Sequence, residues 1–294
     1  MKIFVTGATG FVGAAVVDAL LAGGHEVIGL ARSDAAAAQL TEKGAAVQRG
    51  ELTLPDGLGA GVEAADAVIH TGMIHDFARF AEVCALDRAT IAMLGDALEG
   101  TDKPLLVTSG TPVLGRIATE DDVAAQPHDA YPRASERAVA DLIARGIRAG
   151  AVRLPPSVHG AGDHAFVPIL IDIARRRGVS AFIGDGANRW SAVHRADAGM
   201  LFRLAIEDDA AGSRYHAHAE TGVAMRDIAV AIGAGLNLPV QSVPPETAAD
   251  HFGWFAAFAA SDFAASSERT RQRLNWMPQG PGLIEDIARA GYFD

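Results

Sequence analysis

The N-terminal segment places three glycines, at positions 7, 10 and 13, between a short apolar strand pattern and an apolar helix pattern. A strand, a glycine turn and a helix in this order let the backbone approach a pyrophosphate, and they point the free amides of a helix N-terminus at its charge. The turn therefore predicts a dinucleotide site. Its predicted contact residues are Thr6, Gly7, Thr9, Gly10, Phe11, Val12 and Gly13.

The second predicted strand ends before Arg32 and Ser33. A site selective for NAD often has an acidic residue here, placed against the ribose hydroxyls. A guanidinium group can instead form paired hydrogen bonds with a 2′-phosphate, and the serine hydroxyl adds a donor. The sequence therefore favours NADP(H) as the cofactor. The other predicted cofactor contacts lie near the ends of later strands, at Glu51, Leu52, Thr71, Pro155 and Val158.

The composition argues against several classes of function. The 294-residue chain has a formal net charge of -11, which disfavours nucleic acid as a partner because phosphates require a clustered basic face. Its single cysteine, Cys84, rules out an intrachain disulfide. No apolar run reaches membrane-spanning length, so we expect a cytoplasmic protein with no membrane partner. His216 and His218 form the only close histidine pair, without an obvious third ligand, so we expect no metal site.

The elements that must position these residues alternate between strands and helices in the first half of the chain. Apolar runs predict strands at residues 2–6, 26–31, 46–48, 66–71, 105–108 and 150–154, with helical patterns at residues 11–22, 80–98 and 134–144. This alternation predicts an α/β fold with a doubly wound parallel sheet of the Rossmann type over residues 1–154. Residues 155–294 are predicted to form mainly a smaller C-terminal substrate lobe that shares one interface with the first domain.

Several further motifs are typical of one superfamily. They are TGATGFVG at residues 6–13, VIH at 68–70, VTSGT at 107–111, VRLPPSVHG at 152–160 and GDGANRWSAVHRAD at 184–197. On these motifs the chain resembles the short-chain dehydrogenase/reductase superfamily, in the extended branch that includes sugar-nucleotide epimerases and dihydroflavonol reductases. The resemblance covers nearly the whole chain, and it implies a homodimer formed through two helices.

The resemblance also implies roles for residues at the end of the fifth strand and at the start of the following helix. It assigns to Ser109 a hydrogen bond to the substrate oxygen. It further implies a tyrosine followed four residues later by a lysine, whose charge lowers the pKa of the phenol. Here Tyr131 is followed by Ser135, and a register shifted by one residue places Pro132 and Glu136 at the two positions. The usual lysine is missing in both registers.

The proton donor therefore stays open. Tyr131 is one candidate, with capping or packing in the loop before the helix as the alternative. Arg133 could supply the missing cation, although helical spacing does not place it on the face of Tyr131. His75, just beyond the fourth strand, is a second candidate because imidazole titrates near neutrality. Its alternative role is that of a loop histidine with satisfied hydrogen bonds.

The favoured function is that of an NADP-dependent oxidoreductase, which transfers a hydride to or from a small carbonyl, or an imine. The predicted residues of the substrate pocket are Met73, Thr111, His159, Trp190 and Trp254. Two other functions stay open. A sugar-nucleotide epimerase or dehydratase would prefer an acidic residue in place of Arg32, and a non-catalytic NADP-binding regulatory protein would explain the missing lysine.

Overall fold

The computed structural model describes residues 1–294 except 75, 77, 78, 125, 128–131, 209, 210, 290 and 294. The strands in these parts of the chain are β1 (Lys2–Thr6), β2 (Glu26–Ala31), β3 (Ala46–Arg49), β4 (Ala67–His70), β5 (Leu105–Gly110), β6 (Ala149–Leu154), β7 (Ser157–His159), β8 (Ser180–Ile183), β9 (Arg189–His194), β10 (Arg214–His216), β11 (Glu220–Ala224) and β12 (Val240–Val243). Seven of them form a sheet in the order β10-β6-β5-β4-β1-β2-β3. Every pairing in this sheet is parallel.

The α-helices of the described residues are α1 (Phe11–Ala22), α2 (Asp34–Glu42), α3 (Pro55–Glu63), α4 (Phe80–Leu98), α5 (Ser135–Ala144), α6 (Phe166–Arg177), α7 (Arg195–Glu207), α8 (Met225–Leu236), α9 (Ala248–Phe252), α10 (Ala256–Ala260), α11 (Glu268–Leu274) and α12 (Leu283–Arg289). Two short 3₁₀ segments cover Pro245–Thr247 and Gly253–Phe255. The predicted Rossmann-type α/β fold is confirmed, and the predicted strands shift slightly at their ends.

Helices cover both faces of the central sheet, which explains why its strands are continuous apolar runs. Successive residues of a strand point to opposite faces. In β1, Ile3 and Val5 join a core with residues of α1 and α7, such as Val16 and Phe202. Phe4 joins the other core, which includes residues of α3, α4 and α5. The sheet therefore separates two apolar layers.

The second half of the chain contributes to both parts of the molecule. Helix α7 packs on α1, and β10 pairs with β6 at the edge of the central sheet. The boundary predicted at residue 154 therefore leaves one strand and one helix of the Rossmann layer in the second half. The smaller lobe has its own core, which includes Trp190, Phe255 and Leu283. In the described parts of the chain, no helix combines the length and the apolar character needed to cross a membrane.

Candidate active site

The glycine turn between β1 and α1 brings backbone segments together too closely for side chains. Gly7 has φ of 67°, and a Cβ atom there would lie 2.6 Å from the Cα atom of Gly72. A Cβ atom at Gly13 would lie 2.0 Å from the carbonyl oxygen of Gly7. No side chain caps the N-terminus of α1 at Gly10. The turn thus has the close backbone approach and the free helix amides that the pyrophosphate of NAD(P) requires.

The predicted residues around this turn hold it in place or border it. The hydroxyl of Thr71 donates a hydrogen bond of 2.8 Å to the carbonyl oxygen of Thr6. The side chain of Leu52 lies 2.8 Å from the position that a Cβ atom of Gly72 would take. Phe11 lies under the guanidinium of Arg195, 4.6 Å from the ring centroid. Of the others, Gly10 and Glu51 are exposed, Thr9, Val12 and Met73 are half-buried, and Pro155 and Val158 are buried.

Two arginines stand at the outer edge of the turn, where β2 and β3 end. Arg32 and Ser33 are exposed, and the hydroxyl of Ser33 accepts a hydrogen bond of 3.2 Å from the backbone N–H of Ala36. Ser33 is therefore the N-cap of α2 and keeps its own proton for another acceptor. Arg49 forms an ion pair of 2.6 Å with Asp34. Arg49 is therefore a second cation at this edge, and it was not among the cofactor contacts predicted from the sequence.

A cavity of about 480 Å³ opens beside the carboxyl ends of β5 and β6. Polar side chains from several parts of the chain line it, among them Ser109, Arg133, Glu136, Arg137 and Arg214. Apolar residues complete the walls, among them Val113, Val123, Ala257, Phe258 and Phe263. Ligands of open parallel sheets bind at this edge, so the cavity is the candidate substrate site.

Glu136 is the centre of the polar cluster in this cavity. It lies in the first turn of α5, where the helix dipole favours a negative charge. Arg153 of β6 donates from Nε to Oε1 at 2.6 Å and from Nη2 to Oε2 at 2.7 Å. The hydroxyl of Ser109 donates to Oε1 at 3.1 Å. Arg214 stands 3.4 Å from Oε2. The fully buried side chain of Arg153 is thus paired with the carboxylate of Glu136, which also accepts a hydrogen bond from Ser109.

The guanidinium of Arg153 also donates to a neutral histidine and to two backbone carbonyl oxygens. Its Nη1 donates to Nε2 of His216 at 3.1 Å, and the Nδ1–H of that ring donates to the carbonyl oxygen of Ser266 at 2.6 Å. Burial, together with the charge of Arg153, lowers the pKa of His216 to about 4. Burial also lowers the pKa of His218, and the neighbouring His216 and Arg153 add to this effect. Both rings are therefore neutral at pH 7.

A second buried chain of polar groups connects the glycine turn to the start of α5. Thr6 Oγ1 lies 2.6 Å from Nδ1 of His70, and Nε2 of His70 lies 3.2 Å from Asp87 Oδ1. Ser135 donates to Asp87 Oδ2 at 2.7 Å, and Arg133 donates from Nε to Ser135 at 3.2 Å. Burial opposes the ionisation of Asp87, but the hydrogen bond and charge of His70, with the charge of Arg133, lower its pKa overall.

The structure brings only some of the predicted site residues together. Ser109 lines the cavity as predicted. Tyr131 and His75 lie outside the described residues. Thr111 does not line the cavity, because its hydroxyl donates to the carbonyl oxygen of Leu154 at 3.0 Å and lies 2.7 Å from Nε2 of His218. Its predicted place in the substrate pocket is therefore not supported by its position.

Four other residues predicted for the substrate pocket also lie away from this cavity, among them Met73, which is half-buried in the segment after β4. His159 is buried and pairs with Asp286 of α12 at 2.7 Å. Trp190 is fully buried in the core of the smaller lobe, where it packs against Phe255. Trp254 is 58% exposed on the surface. Among the described residues, the aromatic side chains that line the cavity are those of Phe258 in α10 and Phe263 in the segment after it.

Arg153 and Arg214 were not among the residues predicted from the sequence, and Glu136 was predicted only as the residue at the lysine position. One signal was available, because a charged residue within an apolar strand of a parallel sheet requires a buried partner. Arg153 is such a residue in the AGAVRL strand. Its partner could not be read from the sequence, since the pairing depends on how α5 lies against β6. The described residues contain no group of three or more metal-ligating side chains.

Comparisons with known proteins agree with this architecture. A nucleoside-diphosphate-sugar epimerase from Pseudomonas aeruginosa superposes with a TM-score of 0.79, over 100% of this chain and 99% of its own, at 19% identity. An uncharacterized protein of Schizosaccharomyces pombe is 48% identical over 297 residues, which cover 100% of both chains. A 2-alkyl-3-oxoalkanoate reductase of Stenotrophomonas maltophilia is 30% identical over 230 residues, or 72% of this chain and 67% of the relative.

The family model described as the NAD dependent epimerase/dehydratase family matches residues 3–218. The match includes the glycine turn, all of the central sheet except Lys2, and the residues of the polar cluster around Glu136. The chain therefore belongs to the NAD dependent epimerase/dehydratase family.

Proposed function

We propose that this protein is an NADP(H)-dependent reductase of small carbonyl compounds. The observation that carries the proposal is the cavity at the strand ends, where Ser109 and Arg133 lie beside apolar walls. The same sheet edge holds a glycine turn that fits a dinucleotide. The name of the reductase relative, which describes an oxo compound as its substrate, supports the same reaction class. When bound, NADPH supplies the hydride for such a reduction.

Arg32 is the residue that we assign to the choice of NADP(H) over NAD(H). It is exposed at the end of β2, and no described acidic side chain forms an ion pair with it. Its guanidinium is thus available to bind a 2′-phosphate, with the hydroxyl of Ser33 as a second donor. Arg49 lies at the neighbouring strand end and adds positive charge there, although Asp34 already pairs with it.

Arg133 is our candidate for the cation that the missing lysine would supply. Helix α5 begins only at Ser135, so Arg133 belongs to the preceding loop. The helical spacing that argued against Arg133 as the cation beside Tyr131 therefore does not apply to it. Its Nη2 donates to the carbonyl oxygen of Thr108 at 3.2 Å, directly beside Ser109. We assign Arg133 to stabilising the negative charge that develops on the substrate oxygen.

Ser109 and Tyr131 complete the proposed chemistry. The single proton of the Ser109 hydroxyl is donated to Glu136, so Ser109 must rotate to donate to a substrate oxygen. Glu136 tolerates this rotation because Arg153 still donates two hydrogen bonds to it. Tyr131 remains the proposed proton donor. We expect Tyr131→Phe to reduce kcat by about 100-fold or more, in line with the usual contribution of a general acid.

The charge of the cavity argues against an imine substrate. Its described lining contains three arginines and one glutamate, so a cationic iminium would be repelled. A neutral or anionic carbonyl compound suits this lining better. A sugar-nucleotide epimerase would recycle its cofactor, and it would therefore convert UDP-glucose without net oxidation of NADPH. A regulatory protein would bind NADPH without consuming it.

The proposal is tested by offering ketones and aldehydes with NADPH or NADH and following cofactor absorbance. We expect NADPH to be the preferred reductant and Arg32→Glu to reduce its affinity about 10- to 100-fold, the range of hydrogen bonds to charged groups. Arg289→Glu changes an exposed arginine of α12 and is the matched control. Equal use of the two cofactors would contradict the assignment of Arg32. Binding of NADPH without oxidation by any carbonyl compound would contradict the proposed activity.

A further inference from the structure

The candidate substrate cavity is positively charged in a protein that is negatively charged overall. The chain has a formal net charge of -11. The described cavity lining nevertheless contains Arg133, Arg137 and Arg214 against the single carboxylate of Glu136. A cavity lined by one sign of charge concentrates ligands of the opposite sign. The position of each arginine shows which of these charges is available to a ligand.

Glu136 is already neutralised by a different arginine. Arg153 binds both of its carboxylate oxygens, and its side chain is fully buried. Bidentate pairing of this kind satisfies the carboxylate in charge and in geometry. Arg214 lies 3.4 Å from the same carboxylate but is not needed to neutralise it. It is therefore a surplus cation in the cavity wall.

The other two arginines of the cavity have partners. Arg137 forms an ion pair of 3.1 Å with Asp141 on the surface of α5. Arg133 donates to Ser135 and to the carbonyl oxygen of Thr108, which hold its guanidinium beside Ser109, where it is assigned to the reacting oxygen. The terminal nitrogens of Arg214, in contrast, donate no hydrogen bond to any described residue, and its side chain is 36% exposed. Arg214 lines the cavity, and its guanidinium offers a planar pair of donors without a described partner, which is the geometry that a carboxylate accepts.

Among the described residues, Glu136 is the only carboxylate that forms an ion pair with Arg214. The buried Glu120 instead accepts hydrogen bonds from the backbone N–H and the hydroxyl of Thr270. His216, two residues along β10, lies on the same face of the strand and is neutral because burial lowers its pKa to about 4. Asp122 is paired with Arg116 at 2.5 Å. The walls opposite are apolar and include Val113, Phe258 and Phe263. A ligand that fits this arrangement has one anionic end and a hydrocarbon body.

We propose that the substrate is an oxo acid, whose carboxylate is bound by Arg214 and whose hydrocarbon chain lies against Phe258 and Phe263. This inference rests on the proposed carbonyl reductase function. Arg214 acts in it as a specificity-determining residue, distinct from Arg133, which is assigned to the reacting oxygen. A neutral ketone of the same length would lack the contact with Arg214 and would bind more weakly.

The kinetic test compares 2-, 3- and 4-oxooctanoate with their methyl esters, using NADPH and the full-length protein. For at least one oxo position, we expect kcat/KM for the acid to exceed that for the ester by about tenfold or more. Arg214→Met should lower the acid value about 10- to 100-fold and change the ester value less than about threefold. Arg214→Lys should restore part of the preference. Arg269→Met, which removes an exposed ion pair with Asp121, is the matched control.

A binding test separates this inference from the proposed reaction. Octanoate and octanamide are titrated calorimetrically into the protein in the presence of NADP⁺. Preferential binding of octanoate that is lost in Arg214→Met supports the carboxylate site, even if no carbonyl compound is reduced. Equal binding of octanoate and octanamide would overturn the carboxylate site.

Tighter binding of UDP-glucose than of octanoate, dependent on Arg214, would also overturn the carboxylate site in favour of a diphosphate site. If Arg214→Met lowers acid and ester kinetics equally, its role is not carboxylate recognition.

Discussion

The glycine turn and the Glu136 cluster lie at the same edge of one sheet, yet they are built in opposite ways. The turn is a contiguous segment, and its function depends on backbone atoms and on the absence of side chains. The Glu136 cluster depends on side chains from β5, α5, β6 and β10, which are far apart in the sequence. Its geometry follows from strand register, because Ser109 and Arg153 are direct neighbours across β5 and β6.

This contrast distinguishes two sources of function in the molecule. A backbone site needs particular residue types at fixed spacing, so a short sequence reveals it. A cluster of charges needs a fold that brings distant residues together and excludes water from them. Its members depend on one another, because loss of one leaves its partner buried and unpaired. The two regions should therefore respond differently to single substitutions.

The largest loss of stability is expected for Glu136→Gln. This change removes the counter-charge of Arg153, whose side chain is fully buried, and breaking a buried ion pair typically costs about 3–5 kcal/mol. Urea unfolding measures the loss. Asp141→Asn in the same helix is the control, because its pair with Arg137 is exposed and should contribute less than about 1 kcal/mol. Similar losses in the two variants would show that the Glu136 cluster is not a coupled unit.

Gly13→Ala should mainly affect nucleotide binding. The new Cβ atom would lie 2.0 Å from the carbonyl oxygen of Gly7 and would force the turn open. We expect the Kd for NADPH to rise by about 100-fold or more, equivalent to about 2.7 kcal/mol. Gly59→Ala is the control, since a Cβ atom there meets nothing within 4 Å in α3 and should stabilise the helix by up to about 1 kcal/mol. Unchanged NADPH affinity in Gly13→Ala would refute the turn as the cofactor site.

The histidines behind Arg153 predict a smaller, pH-dependent effect. Burial, with the charge of Arg153, lowers the pKa of His216 to about 4, and the pKa of His218 is lowered in the same direction. The unfolded chain, with ordinary values near about 6.5, then binds more protons than the folded chain below that pH. The free energy of unfolding should fall from about pH 6.5 towards 4, by at most about 1.4 kcal/mol per pH unit for each histidine. Urea unfolding between pH 7 and pH 5 measures this slope, and a flat profile would contradict it.

The sequence predicted the central sheet and the glycine turn because both depend on local patterns. Residues Phe11–Ala22 form the predicted helix, and Gly7 adopts the left-handed backbone that the turn needs. The sequence did not predict that Thr111 and Trp190 would be buried away from the cavity, because residue type does not determine which face of an element meets a ligand. It also could not pair Glu136 with Arg153, because that contact depends on the packing of α5 against β6.

Transfer of hydrogen from the cofactor to a substrate carbon is the most direct measure of the proposed function. The protein is mixed with NADPH that carries deuterium at the transferable position on C4 of the nicotinamide, in either configuration, and with 2-, 3- or 4-oxooctanoate. Mass spectrometry then analyses the product. The account predicts a hydroxy acid with one deuterium on the former carbonyl carbon, formed from one of the two cofactor configurations. NADPH that stays bound and unoxidised, with no deuterated alcohol from any of these compounds or their methyl esters, would contradict it.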